Sequence, residues 1–313
     1  MKKIRNQING VLLLDKPIGL SSNQAIQRVK RILNAEKVGH TGTLDPLATG
    51  LLPVCLGEAT KFASYLLDGD KEYIATAQLG IITDSGDSEG NIVANNDVNC
   101  SLEQIQDALV KFIGEITQTP PMYSALKHNG RPLYEYAREG IEIERKVRRV
   151  IIHELELLDY NLELQQVNFR AKVSKGTYIR TLAEDIGNFL GCGASLIALR
   201  RTKTNQFQIS DAISLDNIEI CNQSNTLPLL SPEILCADLA SYAISENDFV
   251  AVRNGNPVKI NKIPDGYLCD QEVKLYAGNL FLGVACFINK YDQLWLAPKR
   301  LISGLLDLTD LAF

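Results

Sequence analysis

A run rich in glycine and proline at residues 37–53 constrains this chain more than any other feature. Gly39, Gly42, Gly50, Pro46 and Pro53 fall within it, and apolar elements flank it. Glycine reaches backbone conformations that side chains forbid, and proline lacks the donor that a helix interior or central strand needs. The run predicts irregular backbone across 37–53, open to close approach by a ligand and held by regular elements around it. Upstream, 11–14 reads as a short buried strand ended by Asp15-Lys16-Pro17. Residues 23–33 then read as a helix capped by Ser21 or Ser22, with Ile26, Val29 and Leu33 on one face.

Similar periodicities organise the rest of the chain. Residues 72–79 alternate Tyr73, Ala75, Ala77 and Leu79 against Glu72, Ile74, Thr76 and Gln78, the pattern of a half-buried strand. Residues 102–112 form an amphipathic helix behind Ser101, with Glu103 and Gln104 in its first turn. Stretches 147–160 and 167–173 read as strands of a hairpin or meander, and 182–190 as a helix ended by Gly191. The stretch 222–232, with Ser224, Pro228, Ser231 and Pro232, reads as a connection between domains. Beyond Asp248, strand signals at 274–276, 280–288 and 294–297 predict a small β-rich module. At 313 residues the chain exceeds what one core usually holds. The expected architecture is α+β: a catalytic domain over 1–228 on a large mixed β-sheet, then the β-rich module over 239–313.

Composition narrows the function classes. No apolar run approaches the roughly 20 residues that span a bilayer, and no apolar segment with a cleavage site follows the basic N-terminus. The seven cysteines include no CxxC pair, and with three histidines they assemble no metal constellation. A cytosolic, reduced protein is expected, its thiols buried or idle. The net charge of −5 argues against general polyanion binding, but its distribution is uneven. Between Asn205 and Val252 there is no Lys or Arg, whereas Lys127, Arg131, Arg138, Arg145, Lys146, Arg148 and Arg149 cluster upstream, as do Arg200, Arg201 and Lys203. A local basic footprint is all a nucleic acid requires.

Within the glycine-rich run, Asp45 is the residue with chemistry. An Asp before Pro is ordinarily a turn former. Here it stands among glycines, hydroxyls and His40, walled by Leu44 and Leu47. A carboxylate on irregular, partly dry backbone is the setting of a nucleophile or base. The run GHTGTLDPLATGLL at 39–52, preceded by DKPIGLSS at 15–22, resembles the two N-terminal motifs of TruB-type pseudouridine synthases. Three further blocks agree in order: KEYIATAQLG at 71–80, PPMYSALKHNGRPLYEYAREG at 120–140 and GTYIRTLAEDIG at 176–187. Arg200-Arg201-Thr202 matches the start of the last catalytic block. The resemblance is co-linear over about residues 9–209.

That resemblance implies a cofactor-free isomerisation of the uridine at position 55 in the T-loop of tRNA. The C1′–N1 bond breaks, the uracil turns, and it rejoins through C5. It makes Asp45 the catalytic aspartate, Tyr73 the ring packed on the target base, and Arg180 the cation paired with Asp45. Such a guanidinium would keep the carboxylate ionised by charge and by a bidentate hydrogen bond. It places His40 beside the flipped nucleotide, Leu199 on the pocket wall, and Tyr178 among the substrate-binding residues. Lys16 and Pro17 support the loop, with Lys16 either near phosphate or simply solvated. It makes 120–150 an insertion that closes on the T-arm, Arg145, Lys146, Arg148 and Arg149 meeting phosphate. By length, position and strand pattern the C-terminal module resembles small RNA-binding PUA-like domains.

Two rivals carry weight. A pure RNA-binding protein would not need the combination of Asp45, Tyr73 and Arg180. A guide-RNA-dependent relative tends to carry a basic tail, whereas this chain ends in LTDLAF. The expectation is a stand-alone cytoplasmic monomer that acts on tRNA with no membrane and no obligate protein partner. Chemistry should be complete before Asn205, so that a fragment ending near Pro232 folds and converts an isolated T-arm.

Overall fold

The computed structural model describes residues 4–303; the LTDLAF ending lies outside the described residues. Strand β1 (Gly10–Lys16) leads into helix α1 (Ser22–Ile32). Ser21 starts α1 as expected: its side chain accepts the Gln24 N–H while the Gln24 side chain accepts the Ser21 N–H. Strands β2 (Val38–His40) and β3 (Ala48–Leu56) come next, so the irregular stretch is shorter than the composition suggests. Gly50 and Pro53 sit inside β3. Gly50, at φ +99°, allows a close approach, since a Cβ there would fall 2.4 Å from the Arg201 carbonyl oxygen.

Strand β4 (Lys71–Leu79) is followed by the hairpin β5 (Ile81–Thr83) and β6 (Ile92–Asn95), and by helix α2 (Leu102–Lys111) behind the Ser101 cap. Strand β7 (Gly114–Gln118) leads into an insertion with β8 (Lys127–His128), β9 (Arg131–Pro132) and helix α3 (Leu133–Arg138). Then come β10 (Arg148–Asn161), β11 (Gln166–Val173), helix α4 (Ile179–Phe189), β12 (Ala194–Thr204), β13 (Phe207–Gln208) and helix α5 (Leu215–Gln223). Nine strands form one mixed sheet ordered β1-β3-β12-β4-β11-β10-β7, with β2 on β3 and β13 on β12. Only β12 on β3 is parallel.

Two kinds of strand reflect two environments. β11 alternates buried and half-buried residues, and in β4 Tyr73, Ala75, Ala77 and Leu79 turn into the core. β3 shows no alternation, because both its faces are covered. Leu52, Val54 and Leu56 join the helices in one apolar cluster, while Leu51 and Cys55 join a second with Phe62, Phe207, Leu235, Phe281 and Val284.

That second cluster reaches into the C-terminal part. There β14 (Ser241–Ala243), helix α6 (Glu246–Arg253), β15 (Val258–Ile260), β16 (Glu272–Ala277), β17 (Leu280–Lys290) and β18 (Gln293–Leu301) build a sheet ordered β14-β16-β17-β18-β15. The Phe62 and Phe281 rings meet at 5.4 Å, Tyr65 Oη donates to Glu272 at 2.7 Å, and Lys61 Nζ donates to the Leu301 carbonyl at 2.8 Å. The stretch 222–232, expected as a bare connection, is pinned. Leu230 and Val11 exchange two 2.9 Å backbone bonds, and Leu227 and Leu229 pack on the core. Serine and proline mark where a chain bends, but not what the intervening leucines bury. No helix among the described residues is long and apolar enough to cross a membrane.

Candidate active site

Asp45 sits in the turn between β2 and β3, and neighbouring elements hold that turn rigidly. The buried Ser22 hydroxyl accepts the Leu44 N–H at 2.7 Å and donates to the Leu44 carbonyl at 3.0 Å. The Gly19 N–H reaches the Pro46 carbonyl at 2.8 Å. Lys16 is fully buried, and its ammonium donates to the carbonyls of Pro17 at 3.0 Å and Leu20 at 2.6 Å. Neither a phosphate contact nor a solvated lysine fits that burial; Lys16 instead braces the 17–20 segment on which the Asp45 turn rests. Desolvation lowers its pKa to about 8, partly opposed by Asp45.

Helix α4 delivers the arginine. Gln118 of β7 caps its start, accepting the Tyr178 N–H at 3.0 Å and donating to the Tyr178 carbonyl at 3.2 Å. Two residues on, Arg180 is buried, with Nε 3.0 Å from Asp45 Oδ2. Its other donors go elsewhere: Nη1 to the Ser85 carbonyl at 3.0 Å, and Nη2 to the Tyr123 carbonyl at 2.6 Å. The contact with Asp45 is therefore made by one N–H, and the two-bond fork expected from the sequence is absent. The guanidinium is the hub of the site, shared among three segments.

A second carboxylate completes it. Asp87, buried in the 84–90 loop, has Oδ2 3.5 Å from Arg180 Nη1. Its Oδ1 accepts the Ser85 hydroxyl at 2.6 Å and the Glu89 N–H at 3.1 Å. Sequence reasoning missed Asp87; the run Asp84-Ser85-Gly86-Asp87 carried the signal of a turn and nothing more. The Asp45 side chain keeps 36% of its surface open while protein encloses its other sides. That enclosure raises its carboxyl above the ordinary value; Arg180 and Lys16 pull it down, and Asp87 pushes it up.

The remaining expected residues fall around this centre unequally. Tyr73 and Leu199 are buried in one apolar cluster with Leu44 and Leu47. Leu199 lies opposite Ala75 on one side and Ala48 on the other, which fixes it at the foot of the Asp45 turn. His40 accepts the Gly42 N–H through Nδ1 at 3.3 Å, and its pKa is lowered first by burial and then by Arg201. Burial raises the Tyr178 hydroxyl; Ser124, Arg148 and Arg180 pull it down, and Asp45 pushes it up.

The basic groups divide. Arg145 is spent internally, on the carbonyls of Ile143 and Pro120 and on Glu142 at 2.9 Å. Arg149 lies 3.4 Å from Glu115 on open surface, and Arg131 engages Glu135 and Glu139. Lys127, Lys146 and Arg148 stand exposed with no ion pair among the described residues. Nor is the 200–203 cluster a free footprint: Arg200 grips Asp15 with two bonds of 3.0 and 2.7 Å, Arg201 is buried, and Lys203 pairs with Glu72.

The chain is similar to known proteins over most of its length. Residues 30–179 match the TruB family pseudouridylate synthase N-terminal domain, and 180–229 the tRNA pseudouridylate synthase B C-terminal domain. A tRNA pseudouridine synthase B of Azoarcus sp. (strain BH72) is 49% identical over 96% of both chains. One from Francisella philomiragia is 49% identical over 92% of this chain and 94% of its own. Among solved structures, a chain of a Cbf5-Nop10-Gar1 complex superposes with a TM-score of 0.69 at 27% identity, covering 93% of this chain and 84% of that one.

Proposed function

The chain belongs to the TruB family of pseudouridine synthases, enzymes that isomerise uridine in tRNA, and from that premise we propose that its target is uridine 55 of the T-loop and that Asp45 is its catalytic carboxylate. The observation that carries this reading is the Asp45–Arg180 pair, one oxygen held at 3.0 Å by a guanidinium whose Nη1 and Nη2 bond the Ser85 and Tyr123 carbonyls. That pairing aims the carboxylate and lets it carry charge on a partly dry surface.

A uridine stacked in folded RNA must leave its stack to reach such a group. Tyr73 packs against the extruded base, Leu199 walls it, and His40 stands beside the vacated position. The carboxylate supports cleavage of C1′–N1, the uracil turns in place, and C5 bonds to C1′. One proton leaves C5 and N1 gains one, so atoms balance without a cofactor. Lys146 and Arg148 meet phosphates of the T-arm, and the C-terminal sheet adds contacts to the rest of the tRNA. The enzyme acts as a cytoplasmic monomer, without an obligate protein partner.

Purified protein incubated with an unmodified tRNA transcript should place pseudouridine at position 55, mapped by carbodiimide-dependent primer extension. Asp45→Asn should abolish the product while binding stays within a few-fold, because phosphate and shape contacts supply most of the affinity. Modification elsewhere in the tRNA would refute the target, and an active Asn variant would refute the role of Asp45.

A further inference from the structure

Arg201 is only 1% exposed, yet it lies on the face of β12 that turns toward the site. Its partner across β4 is Tyr73, just as Leu199 faces Ala75. Residues directly paired in antiparallel strands project to the same face. Nε donates to the Leu51 carbonyl at 2.8 Å. Nη1 lies 3.6 Å from where a side chain at Gly42 would begin, and Nη2 is buried without a partner. Arg201 enters no ion pair among the described residues. Buried charges are ordinarily paired, so an unpaired one calls for a reason.

The reason lies in what surrounds it. Gly42, whose open side Nη1 faces, donates its N–H to Nδ1 of His40. An imidazole that accepts at Nδ1 is neutral and keeps its proton on Nε2, leaving Nε2–H as the donor it can offer outward. Protonation would put a hydrogen on Nδ1 and break the bond to Gly42. The other charged groups near the turn are committed or turned away. Lys16 is bonded to carbonyls, Asp45 to Arg180, and Glu58 to Lys61 on the turn beside β2. Lys37 precedes β2 on open surface, and on α1 Arg28 and Arg31 face solvent while Lys30 is half-buried. Arg201 is the charged group that acts on the His40 ring, and after burial it is what lowers its pKa.

We infer that Arg201 is a positioning residue for this reaction, a buried and uncompensated cation that braces the 40–42 turn from behind and fixes His40 in one hydrogen-bonding state toward the target nucleotide. The inference rests on the reading of His40 as the residue beside the extruded uridine.

Its test is the titration of His40 in the full-length protein, followed by NMR of the imidazole protons and assigned with His40→Asn. In the parent, His40 should titrate below the ordinary value of about 6.5. Arg201→Met should bring the midpoint up toward that value, and Arg201→Lys, which keeps the charge, should leave it low. On a T-arm stem-loop, Arg201→Met should lower the single-turnover rate roughly tenfold with little change in affinity, as expected of a small misplacement in the site. Arg201→Lys should recover most of that rate. A brace acting by shape alone would fail equally with Lys and Met and would leave the titration of His40 unmoved. A parent His40 that titrates at or above 6.5 overturns the inference without any variant, as does a folded Met variant with an unshifted midpoint. If Arg201→Met does not fold, the parent titration and the Lys variant decide. A parent that never modifies the T-arm would instead defeat the functional reading, an outcome the titration keeps separate.

Discussion

Asp87 and Asp45 approach Arg180 through different nitrogens, Oδ2 of Asp87 at 3.5 Å from Nη1 and Oδ2 of Asp45 at 3.0 Å from Nε. One buried guanidinium thus holds two carboxylates apart and ties both to the Ser85 and Tyr123 carbonyls. Its value is geometric as much as electrostatic.

Arg180→Lys should therefore cost at least tenfold in single-turnover rate, about 1.4 kcal/mol of barrier. An ammonium cannot span three segments with fixed directions. The carbonyls and the Asp87 oxygen left short of donors should each cost about 1–3 kcal/mol of stability. Thermal melting together with single-turnover kinetics checks both effects. Near-normal turnover would reduce Arg180 to a distant charge.

The acid limb of the rate profile should lie above the ordinary carboxylate range of about 4. In the proposed reaction Asp45 works ionised, and enclosure raises its pKa, so activity should be lost as pH falls through that raised value. Asp87 pushes Asp45 in the same upward direction, so Asp87→Asn should move the limb to lower pH. Single-turnover rates across pH 4–8 would show it, and an upward move or no move would contradict the assignment.

In the insertion, neutralising Lys146 and Arg148 together should weaken tRNA binding and flatten its salt dependence by about 0.7–0.9 in log–log slope per lost phosphate contact. Arg145→Ala should act differently. It removes bonds to Pro120 and Ile143, so it should loosen the insertion and leave the slope nearly unchanged. Equal slopes for parent and double variant would assign Lys146 and Arg148 to a solvated face.

A fragment ending near Pro232 should not fold as the parent does, contrary to the expectation from sequence. It loses Leu235, Phe281 and Val284, all buried in the cluster with Leu51, Cys55 and Phe62. Each large apolar side chain fully buried stabilises by about 1.5–3 kcal/mol, and an uncovered face invites aggregation. Circular dichroism melts and gel filtration would decide; a cooperative, monomeric fragment with full T-arm turnover would show the two sheets to be independent.

Local pattern alone determined the elements whose signals are local. The Ser21 and Ser101 caps, the alternation of β4 and β11, and the hairpin of β10 and β11 follow from side-chain period and from donors satisfied within one turn. The motif around Asp45, with Tyr73 and Arg180 in order behind it, identified the family and singled out Asp45 as the candidate catalytic residue. Tertiary structure decided what depends on distant pairing. The run that forms β12 showed no clean alternation, yet it lies between β3 and β4, and only that placement sets Leu199 and Arg201 beside Tyr73 and the Asp45 turn. The burial of Lys16, the internal use of Arg145, the partnership of Asp87 with Arg180 and the covering of β3 by the C-terminal sheet are likewise choices among remote segments. Periodicity reports which face of a segment is buried, but the partner that buries it is selected by packing over the whole chain.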